Sequence, residues 1–125
     1  IISVHLPRTD ETYHMIGKRL LWMIQDDGIL INTARGSVID EEALVDELKK
    51  NRIKAVLDVF EEEPLSDQSP LRKLDNALLI PHMAGPTVDR RKYSTMAVLD
   101  DIDNFISNRP LVHEISAIRA SRMTR

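Results

Sequence analysis

Arg35, Asp58, Glu63 and His82 are the side chains of this 125-residue chain whose types could together move a proton beside a bound anion. Arginine offers a planar, permanently charged fork that matches a carboxylate and a neighbouring carbonyl oxygen. Arg35 follows an apolar run and precedes Gly36, and by position alone it fits equally an arginine whose stem covers a strand end while its head stays in water. His82 stands between Pro81 and the small residues Ala84 and Gly85. An imidazole titrates near pH 6.5, about where a group must lie to give and take a proton at neutral pH, although a lone histidine is more often structural. His14 and His113 are read as structural or exposed. Glu63 closes the run Glu61-Glu62-Glu63 before Pro64, and such a run is ordinarily a solvated face. A carboxylate that reached His82 would favour the imidazolium and orient its ring, and the sequence leaves open which glutamate does so. Asp58 ends an otherwise apolar stretch, where a carboxylate is costly unless hydrogen-bonded. It could hold an amide group of a ligand or cap a nearby backbone turn, and both readings stand.

These residues need elements to carry them. Apolar runs rich in β-branched residues or leucine recur at 2–6, 29–33, 55–59 and 77–80. None alternates cleanly, which fits strands buried on both faces of a parallel sheet. Helical patterns separate the first three runs: 17–25, with Leu20, Leu21 and Ile24 on one side and Gly28 as a stop, and 41–50, with Asp40 as its cap. In the second, acidic residues open the helix and Lys49 and Lys50 close it, as its dipole favours. A longer helix is expected from about 87 to 106, ended by Asn108 and Pro110. Residues 61–74 read as an irregular loop with one helical turn near 71–74, and 117–125 as a frayed tail. Strands alternating with helices in this way predict an α/β fold of right-handed βαβ units. In an open parallel sheet, ligands bind beyond the carboxyl ends of the strands. The segments 5–7, 32–36, 58–60 and 81–85 all fall there, so one rim receives a basic, an acidic and a titratable group from separate strands.

Composition narrows the class. With 42% hydrophobic and 30% charged residues, the chain is an ordinary globular one, long enough for one modest domain. A net charge of −3 gives no electrostatic reason to expect nucleic acid or an anionic membrane as partner. The absence of cysteine excludes disulfides and thiolate chemistry and permits a reducing compartment. No residue set is assigned to a metal, and no apolar run approaches the roughly 20 residues that span a bilayer. The chain opens without methionine, inside an apolar run, and is expected to be an excised part of a longer protein.

Taken in order, Asn32-Thr33-Ala34-Arg35-Gly36, Leu57-Asp58-Val59-Phe60-Glu61-Glu62-Glu63-Pro64 and Pro81-His82-Met83-Ala84-Gly85 resemble the D-isomer-specific 2-hydroxyacid dehydrogenases. Val4-His5-Leu6-Pro7 and the stretch Ser37 to Leu44 are similar to that family as well, so the likeness covers about residues 2–115. It implies a partial Rossmann-like parallel sheet with flanking helices, the second half of a dinucleotide-binding domain over 1–108, and a tail at 109–125 leading toward a substrate domain. It also implies roles. Arg35 would bind the carboxylate of a 2-oxo acid and polarise its carbonyl. His82 would be the acid/base, and Glu63 would pair with it. Leu6, Pro7, Thr33, Ala34, Arg35, Asp58, His82, Ala84 and Gly85 would line NAD or NADP, with Asp58 at the nicotinamide end. A cytoplasmic homodimer acting on a small 2-oxo or 2-hydroxy acid is the implied setting.

The match has departures. Related formate-oxidising enzymes carry glutamine where this chain has Glu63, and Pro86 stands where the family more often has a small residue. The glycine-rich G-x-G-x-x-G turn is absent, and in the family it lies upstream of the part matched here. The isolated chain is therefore expected to bind NAD weakly. Two rival readings accompany the dehydrogenase: a corepressor-type NAD-linked binding protein on the same scaffold, and an inactive remnant.

Overall fold

The computed structural model describes residues 1–124; the last residue of the expected tail, Arg125, lies outside the described residues. The chain forms two compact units, Ile1–Ala84 together with Met123 and Thr124, and Gly85–Arg122. Compactness thus divides the chain after Ala84, whereas the division expected from the resemblance lies at 108/109.

The first unit is a parallel sheet in the order β1-β2-β3-β4, built from β1 (Ile2–Val4), β2 (Ile29–Asn32), β3 (Lys54–Leu57) and β4 (Ala77–Leu79). Its register sets Ser3 beside Ile31, Ile31 beside Val56 and Val56 beside Leu78. Each strand ends one or two residues earlier than its apolar run, although Asp58 and Ile80 N–H still donate to the Asn32 and Leu57 carbonyls of the neighbouring strands. Helix α1 (Lys18–Trp22) connects β1 to β2, and α2 (Glu41–Lys49) connects β2 to β3. A single 3₁₀ turn, Pro70–Lys73, precedes β4 near the turn expected there, with the Ser69 hydroxyl accepting from Leu71 N–H at 3.3 Å.

Burial alternates along the strands. Val4, Leu30, Ala55 and Leu57 join Leu21, Leu44 and Leu48 of the helices in one core, with Ile24, Ile53 and Leu71 beside them. Ile29, Ile31 and Val56 on the other face are half-buried and Leu78 is exposed. The equal burial of both faces that the apolar runs suggest is therefore not seen, because both helices of this unit feed the same core.

Helix α2 forms where its capping signals place it. Asp40 accepts from Ala43 N–H at 2.9 Å, Glu41 and Glu42 occupy the first turn and Lys49 the last. Helix α1 is shorter than its pattern, and its last carbonyls are satisfied from elsewhere: the Arg52 guanidinium donates to Leu21, Trp22 and Ile24 carbonyl oxygens and is itself held by the buried Glu47.

The second unit holds α3 (Val88–Ile106) and α4 (Ala117–Ser121). Asn108, at φ +52°, ends the long helix in a left-handed turn where the sequence places its stop. The region read as a frayed tail contains α4, because Ser116 caps it by accepting from Arg119 N–H at 3.3 Å. The Asp101 carboxylate of α3 accepts from the Val112 and His113 amides at 2.8 Å each. Among the described residues no helix is long and apolar enough to cross a membrane.

Candidate active site

Because all four strands run parallel, the residues that follow them leave from one edge of the sheet. Leu6, Pro7 and Ala34 are half-buried there, and Thr33, Arg35, His82 and Ala84 are exposed. Gly85 opens the second unit, and a Cβ added to it would meet no atom within 4 Å, so local packing does not demand glycine.

The loop after β2 is held from inside. Asn32 is 1% exposed; its side-chain oxygen accepts from Ala34 N–H at 3.1 Å and its amide group donates to the Arg35 carbonyl at 3.0 Å. Arg35 itself is extended, and its guanidinium donates to the Ala34 carbonyl at 2.7 Å while remaining exposed. Gly36 follows of necessity: a Cβ there would fall 1.9 Å from the Phe60 carbonyl carbon and oxygen. The loop carrying Arg35 therefore lies directly against the backbone that leads to Glu63. The motif as a sequence gives Asn32 no role. Yet the signal that marks Asp58, a polar residue closing an apolar strand, marks Asn32 equally.

Asp58 is 1% exposed. One carboxylate oxygen accepts from Met83 N–H at 2.6 Å and the other from Ala84 N–H at 2.9 Å. Its main-chain oxygen accepts from His82 N–H at 3.0 Å. Of the two readings the sequence leaves open, the contacts are those of a carboxylate holding a backbone turn. His82 sits in that turn at φ +51°, a left-handed conformation uncommon for a residue with a side chain.

Glu63 is the glutamate that reaches His82, with Oε2 2.6 Å from Nδ1. Its Oε1 accepts from Phe60 N–H at 3.1 Å, so both oxygens are occupied and the side chain is fixed. Burial alone would raise its proton affinity. The hydrogen bonds from His82 and the Phe60 amide, and the positive charges of His82 and Arg35, outweigh it and hold the carboxyl below the usual glutamate range. Glu61 turns elsewhere, to His14 Nε2 at 2.6 Å and to the Tyr13 hydroxyl at 3.2 Å. His14 is thus paired, and His113 lies against Asp101 at 3.3 Å in the second unit.

With Nδ1 engaged, His82 is left with Nε2, which has no partner among the described residues, on a side chain 52% exposed. Beside the pair lies a mostly apolar cleft of about 540 Å³, lined among others by Phe60, Glu63, Leu65, Ile80, Pro81 and His82. The arrangement can present a proton at Nε2 of a ring whose other nitrogen is held by a carboxylate, with a cation, Arg35, in electrostatic reach of that carboxylate.

Known proteins share this fold and much of this sequence. Residues 1–84 match the family model described as D-isomer specific 2-hydroxyacid dehydrogenase, NAD binding domain. A glyoxylate reductase of Thermofilum pendens is 50% identical over 93 residues, covering 74% of this chain and 27% of that protein. A D-3-phosphoglycerate dehydrogenase of Archaeoglobus fulgidus is 38% identical over 117 residues, covering 93% of this chain and 22% of its own. A crystal structure of a D-isomer specific 2-hydroxyacid dehydrogenase from Xanthobacter autotrophicus Py2, in complex with NADPH and MES, superposes with a TM-score of 0.81 at 35% identity, over 94% of this chain and 38% of that one. The chain thus spans 22–27% of the length of these two curated relatives. A parallel sheet whose rim carries a histidine–glutamate pair, and a family match over two thirds of the residues, lead to one conclusion: the chain belongs to the D-isomer specific 2-hydroxyacid dehydrogenase family, within its NAD-binding domain.

Proposed function

We propose that the polypeptide carrying this chain is a nicotinamide-dependent oxidoreductase, a cytoplasmic homodimer that interconverts D-2-hydroxy acids and 2-oxo acids. The observation that carries this reading is the 2.6 Å pair between His82 Nδ1 and Glu63, on the rim that also bears Arg35. The rim suits the nicotinamide end of NAD or NADP: next to the charged groups its side chains are small or apolar, namely Leu6, Pro7, Thr33, Ala34 and Ala84. When bound, that cofactor supplies or accepts the hydride.

The chain's own residues do the rest. Arg35 forks onto the substrate carboxylate and draws electron density from the adjacent carbonyl. His82 gives its Nε2 proton to the carbonyl oxygen as negative charge develops there, and takes it back in the reverse direction. Glu63 accepts from Nδ1–H, which fixes the ring orientation and leaves Nε2 as the nitrogen that exchanges the proton. The relatives named a glyoxylate reductase and a D-3-phosphoglycerate dehydrogenase support a small α-oxo acid as substrate class.

The test is a screen of the natural polypeptide with NADH and NADPH against glyoxylate, hydroxypyruvate and pyruvate, and with the oxidised cofactors against 3-phosphoglycerate. Turnover with at least one is expected. Cofactor binding without any turnover would favour the binding-protein reading.

A further inference from the structure

We propose that Asn32 is a positioning residue for the substrate anchor: its side-chain amide fixes the backbone on both sides of the Arg35 Cα and so aims the guanidinium at the substrate carboxylate. This deepens the oxidoreductase reading above and rests on it, since there Arg35 holds the 2-oxo acid.

Three observations converge. Asn32 is the last residue of β2, in register with Leu57, and its carbonyl accepts from Asp58 N–H at 2.9 Å, so its side chain starts from backbone that the sheet holds still. The residue is 1% exposed, and both ends of its amide are engaged in the loop it opens. Oδ1 accepts from Ala34 N–H at 3.1 Å, before the Arg35 Cα, and Nδ2 donates to the Arg35 carbonyl at 3.0 Å, after it. Third, the loop meets a wall just beyond Arg35, where a Cβ on Gly36 would fall 1.9 Å from Phe60 backbone atoms. Arg35 is thus held between a clamp and a wall, while its guanidinium stays exposed on the rim.

Ala34 links the clamp to the anchor. Its N–H is held by Asn32, and its carbonyl accepts from the Arg35 guanidinium at 2.7 Å. The residue type follows from the two bonds. One acceptor and one donor on a short stem are needed, and asparagine carries both. Aspartate keeps the acceptor for Ala34 but turns an oxygen on the Arg35 carbonyl, acceptor to acceptor, and alanine offers neither.

A double-mutant cycle on the natural polypeptide, with Asn32→Ala and Arg35→Ala, tests this. Asn32→Ala alone should lower kcat/KM for 2-oxo acid reduction about a hundredfold, the scale of a group misplaced by about 1 Å, through a higher substrate KM and a lower kcat together. In the Arg35→Ala background the same change should cost less than about threefold, because no guanidinium is left to misplace. A merely structural role lowers both backgrounds alike, and equal losses would overturn the proposal. Asn32→Asp should not restore the rate; full activity there would overturn it too, since donation to the Arg35 carbonyl would then be dispensable. Where the variants do not fold, the unsubstituted protein decides: a scalar coupling across the hydrogen bond should join the Asn32 side-chain nitrogen to the Arg35 carbonyl carbon, and its absence sinks the idea. If the unsubstituted protein reduces no 2-oxo acid, the oxidoreductase reading itself fails and the anchor role goes with it, whereas an active protein with equal losses in the cycle removes the role of Asn32 alone.

Discussion

His82 has two nitrogens with two tasks: Nδ1 is spoken for by Glu63 at 2.6 Å, and Nε2 faces outward to work. On this division, His82→Ala should reduce kcat by about 10²- to 10⁴-fold, the usual worth of a general acid, with little change in substrate KM. Arg35→Ala should behave differently, raising KM and lowering kcat together, because the guanidinium acts on the bound carboxylate and on the carbonyl beside it. Steady-state kinetics of the two variants with the best substrate separates the roles, and a KM-only effect at His82 would count against it. Residue types and their order along the chain suffice to mark Arg35, His82 and one of the glutamates 61–63 as candidates, and the family resemblance singles out Glu63. Three features of the site are not legible in that order. The glutamate run does not reveal that Glu63 turns inward while Glu61 goes to His14, since that depends on how the loop folds back. The left-handed backbone at His82 has no composition cue, and the grip of Asp58 on Met83 and Ala84 joins residues 25 and 26 apart.

The site's tolerances are set between elements. The loop after β2 passes so close to the segment after β3 that Gly36 alone fits, with Phe60 backbone atoms 1.9 Å from where a Cβ would be. Neither partner is a flexible side chain, so Gly36→Ala must push two backbone segments apart. We expect it to destabilise the fold by about 3 kcal/mol, at the upper end of ordinary overpacking, measured as a drop in urea midpoint. Activity should fall further than stability alone explains, because Arg35 is the preceding residue; a variant of unchanged stability would show that the loops are not in contact. Elements are legible where local signals are strong. Asp40 with Glu41 and Glu42 announces α2, and the β-branched runs announce the strands. The end of α1 is less legible, because the group that donates to its Leu21 and Trp22 carbonyls is the distant Arg52, which no local pattern within 17–25 can reveal.

At the scale of the molecule, stability is tied to pH through buried acidic groups. Glu47, its side chain 3% exposed, has its pKa lowered by the hydrogen bond from Lys50 and by Arg52, against the opposing effect of burial. A carboxyl whose pKa is lower folded than unfolded stabilises the fold above its unfolded value and loses that contribution as pH falls through the folded one. Glu47→Gln should therefore cost roughly 3 kcal/mol at pH 7, the lower range for breaking a buried pair, and much less in acid below the ordinary glutamate range. Urea unfolding of both proteins at pH 7 and in acid checks this, and an equal loss at both would contradict it. Glu63 follows the same sign, so acid should weaken the site along with the fold. The family's sheet is legible along the chain, whereas the two compact units are not, since contact density, not sequence pattern, separates them at Ala84.

The pairing of Glu63 with a proton-donating His82 is tested most directly by the pH profile of kcat/KM for 2-oxo acid reduction in the Glu63→Gln variant of the natural polypeptide. Reduction needs His82 protonated, so activity declines as pH rises through its titration. Without the anion at Nδ1 the imidazolium loses its partner, and the declining limb should move to lower pH. A limb that stays where it is in the unsubstituted enzyme would contradict that pairing.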